Sequence, residues 1–255
     1  MVVSVETAWI IAVVLIALRI AGVFALTPFF AAAGIPGNVR ILFVVALSVT
    51  LMAGLAIKPV PAIVTLGQLT TAAMTELVVG MSLAFGIFTA FATFQLAGRL
   101  LDIQLGFGVA SLIDPATRAA APLLGTFLNM LALIVFFAFD GHHLLISGIA
   151  FSLEQIPPGT TLPDMEGAAM LAQFGSMFVY AAALAAPVMV VTLLIDVVMA
   201  VIARTMPQVN VFIVGLPLKI LVGLLVFAVS LRYMAPVMKN IFEQMFNYWH
   251  SILGG

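Results

Sequence analysis

The chain has 255 residues, of which 64% are hydrophobic and only 7% charged, nine Lys or Arg against ten Asp or Glu. A globular domain in water carries roughly 25% charged residues, and the mean hydropathy here is +1.30, so the surroundings must be a bilayer or an apolar assembly within it. The net charge of −1 excludes a basic nucleic-acid footprint, and the lack of cysteine excludes disulfides, iron–sulfur clusters and thiolate zinc sites.

The first apolar run extends from Thr7 to Ala33. It is longer than the apolar part of a secretory signal and has Glu6 where a basic residue belongs, so it is predicted to be a retained membrane helix. Gly34, Pro36 and Gly37 end it, since Gly and Pro break helices, and 34–38 is a predicted loop. A second run, Val39 to Ile57, stops at Lys58-Pro59-Val60-Pro61, the start of a predicted 58–65 loop. The third, Leu66 to Ala97, would be about 48 Å long as a helix. The fourth covers Ala121 to Phe139 and ends at an Asp140-Gly141 turn. Leu144 to Ile156 is too short to span, and 154–167 is the most polar loop. The run Ala168 to Ala203 contains Pro187, a natural kink, and Asp196. Gly215 to Ala235 contains Lys219 and Arg232. In the tail, 237–255, the residues Ile241, Phe242, Met245, Phe246, Trp249, Ile252 and Leu253 recur at helical spacing, predicting an amphipathic helix at the membrane interface or on a partner.

These segments predict an all-α, polytopic membrane domain of kinked helical hairpins spanning 1–255. Their lengths do not match simple spans of about 20 residues, so some must tilt, kink or leave the bilayer. Lys and Arg placement puts 154–167 outside and both ends of Gly215–Ala235 inside, so either this segment is a hairpin or re-entrant, bent at Gly215, Pro217 and Gly223, or the placement rule fails here.

Function is expected where polar residues interrupt apolar context. The densest such stretch is 98–118, with Arg99, Asp102, Gln104, Gly106, Gly108, Ser111, Asp114, Pro115 and Arg118. Its glycines and proline argue against an uninterrupted helix, and irregular apolar backbone at membrane depth fits the lining of a cavity. A local reading makes Asp114 a helix N-cap, Pro115 the first helical residue and Arg118 an i+4 partner, which leaves Gln104 to Ser111 unexplained. Asp140, His142 and His143 resemble metal donors, but adjacent histidines rarely reach one ion, and no metal site is expected. Asp102, Asp114, Asp140 and Asp196 form no motif that selects an intramembrane aspartyl pair. A secondary transporter with Glu76, Asp196 and Lys219 near the midplane stays open.

Three ordered motifs then carry a resemblance over nearly the whole chain. Gln104-Leu105-Gly106 through Ser111, Asp114, Pro115 and Ala116 is similar to the QxGxxxAxxxDPA core of the FliR family. Asp140-Gly141-His142-His143 is similar to its next signature. Pro207-Gln208, Asn210, Phe212, Gly215, Pro217 and Lys219 are similar to its APQxNxFxxGxPLK signature. The forms look more like the flagellar branch than the virulence-secretion branch. The resemblance implies a non-enzymatic subunit without cofactor, present once beside several FliP and FliQ subunits in a helical, pore-bearing export gate of the bacterial inner membrane. It further implies FlhB and FlhA as neighbours, membrane lipid around the assembly, and unfolded flagellar proteins as cargo. The stretch Gln104, Leu105, Gly106, Phe107, Gly108, Val109, Ser111, Leu112, Ile113, Asp114 and Pro115 matches the family's pore plug.

Overall fold

A computed structural model of the chain describes residues 7–25, 27, 34–55, 57, 65–107, 122–162, 165–206, 208 and 210–254. Among these the chain is all helical: α1 Thr7–Ala25, α2 Gly37–Gly54, α3 Leu66–Leu105, α4 Leu123–Ala138, α5 Gly141–Gln155, α6 Gly167–Thr205 and α7 Val211–Leu253. Five helices are long and apolar enough to cross a membrane: α1, α2, α3, α6, and α7 from Ile213 onward. The chain is therefore an all-α, polytopic membrane protein. Residues 28–33 and 58–64 lie outside the described residues.

Helix is the expected state for such sequences, because in hydrocarbon a helix satisfies its own backbone groups. Pro36 and Pro122 stand immediately before α2 and α4, where a missing N–H costs nothing. The long helices contain 40, 39 and 43 residues, contours of roughly 58–65 Å against a hydrocarbon core of about 30 Å.

Two expectations are overturned. The third apolar segment continues as helix beyond Ala97 to Leu105, so the glycine at 98 does not break it. The segment from Gly215 is no hairpin, since α7 runs unbroken through Pro217 and Pro236 into the tail. The tail is thus the last turns of a longer helix. Its apolar positions Met245, Tyr248, Trp249, Ile252 and Leu253 are buried within this chain.

The chain divides into two compact units, 1–89 with 140–173 and 244–255, and 90–139 with 174–243. In the first, Leu15, Ile16 and Ile20 of α1 pack in a core with Val79, Leu83 and Ile87 of α3 and Leu145 and Ile149 of α5. The backbones of α1 and α3 approach closely, for a Cβ on Gly80 would collide with the carbonyl oxygen of Arg19. Small residues at helix contacts serve this purpose in membranes. Trp249 closes the unit. Its Nε1 donates to the Leu83 carbonyl at 2.9 Å, and its ring occupies the space left by Gly86 and Gly148. The neighbouring Tyr248 hydroxyl donates to the Ser82 carbonyl at 3.1 Å.

At the centre of this unit lies a buried ion pair. Arg19 Nε donates to Glu76 Oε2 at 2.6 Å, with both side chains fully enclosed. Arg19 Nη1 donates to the Ser152 carbonyl at 2.7 Å and Nη2 to the Ile156 carbonyl at 2.8 Å. The remaining Glu76 oxygen accepts the Gly159 N–H at 3.1 Å. One pair thereby ties α1, α3, the last carbonyls of α5 and the turn after it.

In the second unit Phe91, Phe94, Phe136 and Phe242 form an aromatic cluster with centroid separations of 5.3–5.9 Å. There Gly98 faces Gly125 so closely that a Cβ on Gly98 would collide with the Gly125 backbone.

Breaking a buried ion pair leaves an uncompensated charge, whereas replacing both partners with apolar residues can be far milder. Glu76→Leu is expected to destabilise the protein by about 3–5 kcal/mol. The double variant Arg19→Met with Glu76→Leu is expected to recover part of that loss. Thermal unfolding of the purified proteins in one detergent checks the ordering.

Candidate functional site

The polar interruption flagged at 98–118 begins as helix. Gln104 and Leu105 are the last residues of α3 rather than part of a loop. Gly106 follows at φ +83°, which a residue with a side chain adopts only under strain. Its N–H donates to the Ile103 carbonyl at 3.1 Å, and the Phe107 N–H donates to the Asp102 carbonyl at 3.0 Å. This pairing is the Schellman C-cap, which consumes two otherwise orphaned carbonyls. Gly106 therefore terminates a helix. Gly108, Val109, Ser111, Leu112, Ile113, Asp114 and Pro115 lie outside the described residues, as does the Asp114 cap with Arg118.

What precedes and follows that stretch is firmly held in the second unit. The buried carboxylate of Asp102 accepts the Leu124 N–H at 3.0 Å through Oδ1 and the Gly125 N–H at 3.3 Å through Oδ2. Pro122 supplies no side-chain cap to α4, so a residue on α3 caps it instead, adding negative charge at the positive helix end. Asp102 lies one turn after Gly98, so the close contact of Gly98 with Gly125 brings the carboxylate within reach. The Leu105 side chain is completely buried and fills the space beside Gly223 and Thr192, while Leu216 covers Gly106. The first and third motifs of the sequence thus meet, Leu105-Gly106 against the Leu216 to Gly223 segment of α7.

Lys219 of the third motif is no lone snorkelling cation. Its Nζ donates to Asp196 of α6, at 2.9 Å to Oδ1 and 2.7 Å to Oδ2. The Asp196 side chain is 49% exposed, among the exposed apolar residues Leu193, Leu194 and Val197. Asn210 opens α7, its carbonyl accepting from the Ile213 and Val214 N–H groups at 3.1 and 3.3 Å. Gln208 is exposed, Gly215 is half-buried and Pro217 lies inside the helix. Pro207 and the Phe212 side chain lie outside the described residues.

The second motif sits in the first unit, apart in the chain from these contacts. Asp140 adopts left-handed backbone, φ 55° and ψ 28°, and its carbonyl accepts the His143 N–H at 2.9 Å to start α5 before Gly141. Asp140, His142 and His143 bring one possible ligand atom each within 4.8 Å of one another. The spacing argument against convergence is corrected on this point. Asp140 and His143 remain mostly exposed side chains, and three clustered donors fall short of the closed four-ligand set of a structural metal site.

Asp102, Leu105, Gly106, Asp196 and Lys219 each cap a helix, fill a close contact or complete an ion pair. Sequence reasoning noted Asp102 but missed its cap on α4 across 22 residues; the one signal is an acidic residue four positions after a glycine in an apolar run.

The fold and these sites define a polytopic helical membrane protein whose first and third sequence motifs meet in structural contacts. Residues 10–245 match the description of the bacterial export proteins, family 1, and the chain belongs to that family. It is 34% identical over 246 residues to the flagellar biosynthetic protein FliR of Bacillus subtilis, covering 95% of this chain and 94% of that protein. It is 30% identical to the protein of the same name from Escherichia coli, over 71% of this chain and 70% of that one. It is also 30% identical, over 67% of each chain, to the surface presentation of antigens protein SpaR of Shigella sonnei. The resemblance of the chain to the FliR family is thereby borne out. With its apolar helices, the chain is an inner-membrane component of the flagellar type III export apparatus.

Asp102→Ala leaves two N–H groups at the start of α4 without their acceptor. It is expected to cost about 1–2 kcal/mol, with Asp102→Asn intermediate, as a lowered thermal midpoint of the purified protein would report.

Proposed function

We propose that the chain is a single-copy structural subunit of the export gate, assembled with several FliP-type and FliQ-type subunits and surrounded by FlhB-type and FlhA-type proteins. It conducts no reaction of its own and passes unfolded flagellar proteins, the driving energy coming from partners or the proton gradient. The virulence-secretion equivalent is the alternative, favoured by the similarity to SpaR.

One observation supports a hetero-oligomer above others. The half-exposed Asp196 carboxylate and its Lys219 partner stand on an otherwise apolar surface. An ion pair there is costly against lipid tails, and it is satisfied against another subunit or a water-filled lumen. The α6 span window is only 22% buried within this chain, which leaves most of its apolar face for neighbours.

Within that gate, the stretch from Phe107 to Pro115 acts as a plug. Phe107, Val109, Leu112 and Ile113 supply an apolar constriction that blocks ions by dewetting yet gives way to a polypeptide. Leu105, buried beside Gly223, serves as the anchor of this stretch, and Gly106 is its fixed point of departure.

Replacing Phe107 and Gly108 together with Gln is expected to raise ion conductance through the assembled gate at least several-fold. Planar-bilayer currents or growth inhibition by ion leak would report it. Unchanged leak with unchanged secretion sinks the plug assignment and leaves the subunit role standing.

A further inference from the structure

Two of the three histidines in the chain are consecutive, His142 and His143, and Asp140 stands just before them. One ligand atom from each of the three lies within 4.8 Å of the others. Asp140 Oδ1 and His143 Nδ1 are 3.8 Å apart, too far for a hydrogen bond. Two donors on one tetrahedral zinc, each at roughly 2.0–2.1 Å from it, are about 3.4 Å apart. The pair therefore lies only slightly wider than ligand spacing.

The backbone beneath the cluster is fixed and the donors are movable. Asp140 is the one non-glycine residue with positive φ among the described residues. Its carbonyl accepts the His143 N–H at 2.9 Å and the Leu144 N–H at 3.2 Å, so all three donors sit on one closed turn. Gly141 and Leu145 are buried and seat that turn, while the His143 and Asp140 side chains are 72% and 74% exposed. A cation can draw them together without disturbing any packing. The His142 and His143 rings already lie with centroids 4.1 Å apart. His142 is half-buried and holds further contacts. A ligating histidine commits one ring nitrogen to the ion and the other to a neighbour, which orients the ring, so such contacts are compatible with ligation.

The positive start of α5 disfavours a cation, and the Asp140 carboxylate offsets it. Imidazole nitrogens select zinc, nickel or copper, whereas magnesium and calcium take oxygen ligands. We propose that Asp140, His142 and His143 form an open three-ligand site for a divalent transition cation of the zinc class, with water completing the coordination. Lacking a fourth protein ligand, the site exchanges its ion, unlike a closed structural set. The bound cation clips the left-handed turn to the start of α5, whose last carbonyls Arg19 holds.

The test uses the full chain purified with its partner subunits in mild detergent, its affinity tag removed. Zn²⁺ is titrated calorimetrically, and gel filtration of each variant reports assembly. His143→Gln and Asp140→Asn, the latter keeping a side chain suited to positive φ, each change an exposed residue. Loss of an outer partner of a metal ligand alone weakens binding about 10–100-fold, so each variant is expected to lose at least about tenfold in zinc affinity. His250→Gln, outside the cluster, should bind as the wild type does, and Mg²⁺ should not compete. With Cu²⁺ instead, electron paramagnetic resonance should show two coupled imidazole nitrogens in the wild type and one in His143→Gln. Zinc binding absent from the wild type, or unchanged in both cluster variants, overturns the proposal. So does an equal loss in His250→Gln, or equal competition by Mg²⁺.

Discussion

Among the described residues Arg19 is the largest fully buried side chain, and in a chain with so few charges its enclosure sets the terms for the first unit. A guanidinium away from water needs each donor satisfied and its charge matched. Glu76 matches the charge, while the Ser152 and Ile156 carbonyls take the Nη donors. Those carbonyls end α5, which a cation stabilises through the helix dipole as well. For this to hold, α1 must approach α3 closely, and glycine at position 80 permits it. Glu76 then reaches the Gly159 N–H and fixes the turn after α5. The packing of α1, α3 and α5 follows from the requirement that one charge be enclosed without loss.

The second unit obeys the same rule with backbone groups in place of a side chain. The end of α3 and the start of α4 each present carbonyls or amides that lack a partner within their own helix. Gly106 closes the first by its left-handed conformation, and Asp102 serves the second across 22 residues. Both devices flank the stretch proposed as a plug. A plug needs an immobile base if opening is to be confined to the plug itself. The seating of Leu105 beside Gly223 and the cover of Leu216 over Gly106 join that base to α7, whose Lys219 is held by Asp196.

Much of the fold is legible in the sequence because apolar runs and their Gly and Pro punctuation mark helices and breaks directly. Thr7, Leu66 and the Asp140-Gly141 turn all stand at or next to observed helix boundaries. What composition cannot convey is whether a glycine breaks a helix or packs inside one. Gly98 and Gly223 read as breaks, yet each makes room for a neighbour, the Gly125 backbone or the Leu105 side chain. Gly215 and Pro217 read as bends in a hairpin, yet α7 passes through both. Glu76, Asp196 and Lys219 read as unpaired midplane charges suited to transport. The structure pairs Glu76 with Arg19 and Asp196 with Lys219, partners 57 and 23 residues apart, and no local pattern reveals such pairings. The motifs around Asp102–Gly106 and Gly215–Lys219 are legible as motifs; that they touch is a tertiary fact.

The central claim is that this chain is one member of a larger gate, and the most direct measurement is the mass of the intact assembly. Affinity purification of the tagged chain in mild detergent, followed by native mass spectrometry, is predicted to give one copy with several copies of two small hydrophobic partners. Recovery of the chain alone, or as a simple homodimer, under conditions that keep it folded would contradict the account.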